Sequence, residues 1–88
     1  GNQVVALSIE RLGRASDNWR SWPAEWQPLF GASDLLLDLT PQEAAALKER
    51  LIETTEEFRA HRTDRPAPEG TRTVAVQFQT FLHEEPPR

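Results

Sequence analysis

The sequence predicts an α+β fold, in which a small sheet carries one long amphipathic helix and a helical segment precedes both. Three observations support this prediction. Leucines alternate over residues 35–39, a helical pattern begins at Pro41, and a second alternating segment covers residues 72–82. A polar linker at residues 63–71 would let the chain return as a βαβ-like unit. Because two strands and one helix make an incomplete core, the sequence also predicts that dimerisation completes the fold.

The N-terminal residues 3–15 fit two patterns. Val5, Leu7 and Ile9 alternate as in a strand, whereas Val5, Ile9 and Leu12 recur as on one side of a helix. The segment contains good helix formers and few β-branched residues after Ile9, so we predict a helix.

All three tryptophans lie in one short segment. Trp19, Trp22 and Trp26 have the i, i+3, i+7 spacing of one helix side. Pro23 cannot sit inside a smooth helix, because it lacks the N–H and its ring clashes with the preceding turn. The segment therefore predicts a short helix over residues 23–27, which begins at this proline.

A long helix is predicted from Pro41 to Arg62. Thr40 is the candidate N-cap, Pro41 occupies the first helical position, and Glu43 has the spacing of a capping box. The apolar stripe contains Ala44, Leu47, Leu51, Thr55 and Phe58, with Ile52 on its flank. Glutamates crowd the other side, so packing of the stripe must stabilise this helix.

Two strands are predicted, one on either side of this helix. In the first, Leu35, Leu37 and Leu39 share one face. In the second, one face carries Val74, Val76, Phe78, Thr80 and Leu82, and the other carries Ala75, Gln77, Gln79 and Phe81. In the second strand, one face is apolar enough to line a core.

Length predicts a single domain over residues 1–88, and the opening residues suggest that this domain was cut from a longer protein. The chain has 88 residues, and its 38% hydrophobic content is low, which favours dimerisation. The opening Gly-Asn resembles a protease scar, so Gln3 would begin in mid-chain. No apolar run reaches the length of a membrane span and cysteine is absent, so we predict a cytoplasmic protein without membrane contact.

The sequence contains no motif for catalysis, metal binding or cofactor binding. His61 and His83 are isolated, and no glycine-rich phosphate loop is found. The net charge of −4 speaks against nucleic-acid binding by this segment, because such binding needs cationic groups that neutralise phosphates. We therefore predict a protein that is not an enzyme and that carries no cofactor.

Aromatic side chains are the candidate site. The set comprises Trp19, Trp22, Trp26, Phe30, Phe58 and Phe78. These residues could line a pocket for a small apolar or aromatic effector, form the centre of a protein interface, or fill a small core. The sequence leaves all three interpretations open.

Four stretches together resemble the C-terminal region of bacterial ArsR-like winged helix-turn-helix transcriptional regulators. They are residues 19–30, the Leu-Thr-Pro-Gln-Glu helix start within residues 35–51, Phe58-Arg59, and the final strand at residues 73–81. In that group a short strand ends in such a helix start, and a long helix, a Pro/Gly linker and a hydrophobic strand follow.

The resemblance implies a DNA-binding regulator in which this region forms a homodimer or senses an effector. The winged helix that would contact DNA is missing from this sequence, so no residue is assigned a contact to bases or phosphates. The cysteine ligands of metal-sensing members are also missing. The alternative is a protein–protein interaction module that binds no ligand.

Overall fold

The computed structural model describes residues 2–60 and 66–85, and its regular structure is helical. Helix α1 covers Asn2–Asn18 and helix α2 covers Pro41–Ala60. Between them lie two 3₁₀ helices, Trp19–Ser21 and Ala24–Leu29. No residue within the described ranges belongs to a strand.

The predicted α+β fold is therefore wrong. Residues 35–39 and 72–82 lie outside any regular element, and no backbone hydrogen bond pairs them within the described part of the chain. Leu35 is 75% exposed and Leu82 is 86% exposed. Alternation shows which side chains a strand could bury, but a strand also needs a neighbour that accepts its hydrogen bonds. The alternation in the sequence provides an apolar face, but it does not provide the neighbouring strand.

Residue contacts divide the chain into two compact units, Gly1–Leu35 and Leu36–Arg88. In neither unit is a described residue fully buried, and 17 large hydrophobic residues are exposed. The prediction of a single domain remains a prediction.

In the first unit, helix α1 confirms the helical interpretation of residues 3–15. Its charged side carries an ion pair between Glu10 and Arg14, one turn apart. The opposite side carries Val5, Ile9 and Leu12, and all three are exposed. Helix α1 is thus amphipathic, and its apolar side meets solvent.

In the second unit, helix α2 begins where the capping pattern predicts. The Thr40 N–H donates to Glu43 Oε1 at 2.9 Å, and the Glu43 N–H donates to Thr40 Oγ1 at 3.1 Å. The backbone N–H of Thr40, followed by its side chain, holds the pKa of the Glu43 carboxyl below its ordinary value. The described helix ends at Ala60, so the predicted end at Arg62 lies outside the described residues.

The apolar stripe of α2 is only partly covered. Leu47, Leu51 and Thr55 are half-buried, whereas Ala44 and Phe58 are exposed. The Thr55 hydroxyl donates to the carbonyl oxygen of Leu51 at 3.2 Å and to that of Ile52 at 2.8 Å, which satisfies this polar group within the helix. The stripe therefore lies on the predicted side of the helix, but none of its residues is fully buried.

A turn precedes the last segment of the second unit. The Thr71 N–H donates to the Pro68 carbonyl oxygen at 3.2 Å, and Gly70 has a φ of 88°. Glycine adopts this left-handed conformation without the steric cost that a Cβ would bring. Residues 72–85 follow, and we call them the C-terminal extended segment.

Candidate interaction surfaces

Residues 19–30 of the first unit, called here the aromatic segment, are folded by contacts within themselves. Pro23 lies between the two 3₁₀ helices, and Trp22 before it is extended with φ −70° and ψ 156°. Helical geometry is disfavoured for a residue that precedes proline, so the Trp22-Pro23 pair separates the two helices. The predicted helix over residues 23–27 is therefore a 3₁₀ helix that begins one residue later and extends to Leu29.

The side chain of Gln27 fixes the bend of the aromatic segment. Its Nε2 donates to the Trp22 carbonyl oxygen at 3.0 Å and to the Arg20 carbonyl oxygen at 3.2 Å. The Ser21 hydroxyl adds a bond to the Asn18 carbonyl oxygen at 2.7 Å. These bonds satisfy carbonyl groups that a continuous helix would have used.

The Phe30 ring contacts two of the tryptophans. Its ring lies parallel to Trp19, with centroids 5.9 Å apart and 5° between the planes. Trp22 meets the same phenyl ring edge-on, at 6.2 Å and 75°. Both arrangements are favourable for aromatic quadrupoles, which prefer offset-stacked and edge-to-face pairs.

Arg20 adds a charge to this cluster. Its guanidinium carbon lies 4.6 Å from the centroid of a Trp19 ring, within the range of a cation–π contact. Trp19, Trp22 and Phe30 remain half-buried rather than buried. The cluster is thus ordered and still reachable from solvent.

The structure brings together only part of the predicted aromatic site. Trp19, Trp22 and Phe30 touch, and Trp26 lies half-buried in the same segment. Phe58 and Phe78 belong to the other compact unit, where they are 73% and 38% exposed. The six residues share their chemistry, but sequence spacing does not show that they fall into two units.

Two residues of the aromatic segment were missed from the sequence. Arg20 could have been suspected, because it stands next to Trp19 and a guanidinium commonly stacks on an indole. Gln27 gave no such signal, since its partners are carbonyl groups five and seven residues away, across the Pro23 bend.

Neither metal-binding nor membrane-spanning features are found in the described part of the chain. It contains no group of three or more histidine, aspartate or glutamate side chains that could hold an ion. No described helix combines the length and apolar character needed to cross a bilayer.

Comparison with known proteins adds no family. No protein-family model matches the sequence. Searches of curated proteins and of solved structures likewise find no match. The similarity to ArsR-like regulators therefore remains a prediction from the residues quoted above.

Proposed function

We propose that this chain is a non-catalytic protein-interaction module, which buries its apolar surfaces against another protein chain. The observation that carries the proposal is the absence of any fully buried residue among those described, together with the 17 exposed large hydrophobics. A soluble protein rarely leaves so many apolar side chains in water unless they form a contact surface.

Neither unit has a core among its described residues: none of them is fully buried, and Leu47 and Leu51 in the stripe of α2 are only half-buried. Association with another chain would supply burial that neither unit has alone.

Unfolding experiments on the purified chain test this proposal. We expect dilute chain to unfold gradually in urea, because no core supports a cooperative transition. At higher concentration the chain should associate, which sedimentation velocity detects. A cooperative transition should then appear, and its midpoint should rise with concentration. A monomer that unfolds cooperatively at low micromolar concentration would contradict the proposal.

The aromatic cluster supports a second candidate function, the sensing of a small effector. Trp19, Trp22 and Phe30 supply apolar faces, and the Arg20 guanidinium supplies a positive group that suits an aromatic carboxylate. In the regulator implied by the sequence resemblance, such binding would bias the geometry of a homodimer. Titration with aromatic carboxylates, followed by tryptophan fluorescence, tests this candidate; an unchanged spectrum at millimolar ligand would exclude that ligand class.

A further inference from the structure

The C-terminal extended segment has the composition of a strand and no strand partner. Ten consecutive residues, 73–82, contain no charged residue, no glycine and no proline. β-branched and aromatic residues, which favour strands, make up six of the ten. No backbone hydrogen bond joins residues 72–85 to other described residues, and all but Gln77 are exposed. The segment therefore offers a free row of backbone donors and acceptors.

Opposite charges flank this uncharged stretch. Arg72 precedes it, and Glu84 follows His83 on the other side. If two copies of the segment pair antiparallel with Phe78 opposite Phe78, Arg72 lies opposite the partner's Glu84 at each end of the pair. A parallel pair in register would instead place like charges opposite each other. Facing opposite charges stabilise a strand pair and facing like charges destabilise it, so the charges favour the antiparallel arrangement.

The same register also matches apolar residues across the pair. Val74 lies opposite the partner's Leu82, and Val76 lies opposite the partner's Thr80. On the other face Gln77 lies opposite the partner's Gln79, where the two amides can hydrogen-bond. The arrangement has the two-fold symmetry of most homodimers, so each of these three contacts occurs twice, and Phe78 meets its own copy on the axis.

We infer that two copies of this chain associate through residues 72–84, which pair antiparallel about Phe78. This inference rests on the proposed function and names a second copy of the chain as the partner. It differs from the sheet predicted from the sequence, because residues 35–39 take no part and each chain contributes one segment. The juxtaposition of Arg72 with the partner's Glu84 is the feature that sets the direction and register.

Charge reversal tests the direction of pairing through the homodimers, because a parallel pair in register has like charges facing each other in wild type and in both variants, whereas only the antiparallel pair loses opposite-charge contacts. Arg72→Glu and Glu84→Arg each place two like-charge pairs in the homodimer, and we expect either variant to dimerise about tenfold more weakly than wild type. An equimolar mixture of the two variants restores both opposite-charge pairs. Native mass spectrometry should therefore show more heterodimer than homodimer. A statistical mixture of dimers would overturn the inference.

Cysteine cross-linking tests the register, because the natural sequence has no cysteine. Phe78→Cys should form a disulfide-linked dimer under mild oxidation, since the two substituted positions face each other. Val76→Cys is the matched control; its two cysteines would lie about 13 Å apart along the strands, too far for a disulfide. Faster linkage through position 76 than through position 78 would overturn the register.

Wild-type sedimentation and unfolding separate the failure of this inference from that of the proposed function. A chain that stays monomeric up to about 1 mM and unfolds gradually would overturn the inference only, because a different protein could still cover the surfaces. A dimer that forms disulfides only through other cysteine positions would likewise overturn this inference and leave the proposed function intact. A cooperatively unfolding monomer would overturn both.

Discussion

The aromatic segment and the C-terminal extended segment are both rich in apolar residues, yet only the first is folded by its own contacts. In the aromatic segment, Phe30 lies against Trp19 and Trp22, and Gln27 bonds two carbonyl groups. In the extended segment, Phe81 is 83% exposed and no described backbone partner is present. The two segments differ in how far apart in sequence their partners lie. The contacts named in the aromatic segment join residues at most eleven positions apart.

Short-range contacts have a low entropic cost, since few residues must be ordered before the groups meet. A strand needs a partner that is distant in sequence or belongs to another molecule. The comparison therefore predicts that substitutions in the aromatic segment act on the isolated chain, whereas substitutions in the extended segment act only on association.

The largest effect is expected from Phe30→Ala, which removes the ring shared by Trp19 and Trp22. Each aromatic pair contributes about 0.5–1.5 kcal/mol beyond area burial, so the loss should be about 1–3 kcal/mol of local stability. Near-ultraviolet circular dichroism and the tryptophan emission wavelength during a urea titration would measure it. We expect a weaker aromatic signal and an emission maximum shifted to the red.

Phe81→Ala is the matched control for this change. It removes the same side chain from an exposed position in the other unit. The tryptophan signals of dilute Phe81→Ala should equal those of wild type. If both variants altered the tryptophan signals equally, the contrast between the two segments would be refuted.

A smaller effect, about 1 kcal/mol, is expected from Thr40→Ala at the start of α2. The substitution removes the hydroxyl that accepts the Glu43 N–H, and loss of an N-cap side chain costs about 0.5–2 kcal/mol. Far-ultraviolet circular dichroism should show reduced helicity in the dilute chain. Thr40→Ser retains the hydroxyl and should retain most of the helicity; equal losses in both variants would show that the cap does not stabilise α2.

The same distinction of range explains what the sequence could predict. The start of α2 at Pro41 was predicted correctly, because the groups that fix it lie within three residues of Thr40. The helix α1 was also predicted, since periodicity is a property of the segment itself. The predicted strands at residues 35–39 and 72–82 were wrong, because alternation indicates an apolar face but does not indicate which segment would accept the strand's hydrogen bonds.

The candidate site remains a prediction, and the same distinction of range applies to its residues. The grouping of Trp19, Trp22 and Phe30 within one short segment was accessible from sequence proximity. The inclusion of Phe58 and Phe78 depended on a tertiary arrangement that spacing cannot reveal. Leu47 and Leu51 are half-buried, so their truncation to alanine should cost less than the about 2–5 kcal/mol expected of a fully buried leucine.

The smallest predicted effect is the pH dependence of the α2 cap. The folded pKa of Glu43 is lowered by the Thr40 backbone N–H and then by the Thr40 side chain. Its contribution is therefore fully present above the ordinary glutamate pKa of about 4.3, and is lost as the pH falls through the lower folded value. Helicity of the dilute wild-type chain should decrease slightly over that acidic range, in addition to the effects of the other carboxyl groups.

Glu43→Gln isolates this contribution, because the amide oxygen can still accept the Thr40 N–H but does not titrate. At pH 7 the variant should be slightly less helical than wild type, since it lacks the negative charge near the helix N-terminus. The difference in helicity should shrink below the folded pKa of Glu43, where the wild-type carboxyl becomes neutral. If the two pH profiles stayed parallel, the Glu43 charge would not contribute to the cap, and the hydrogen bonds of Thr40 alone would account for the start of α2.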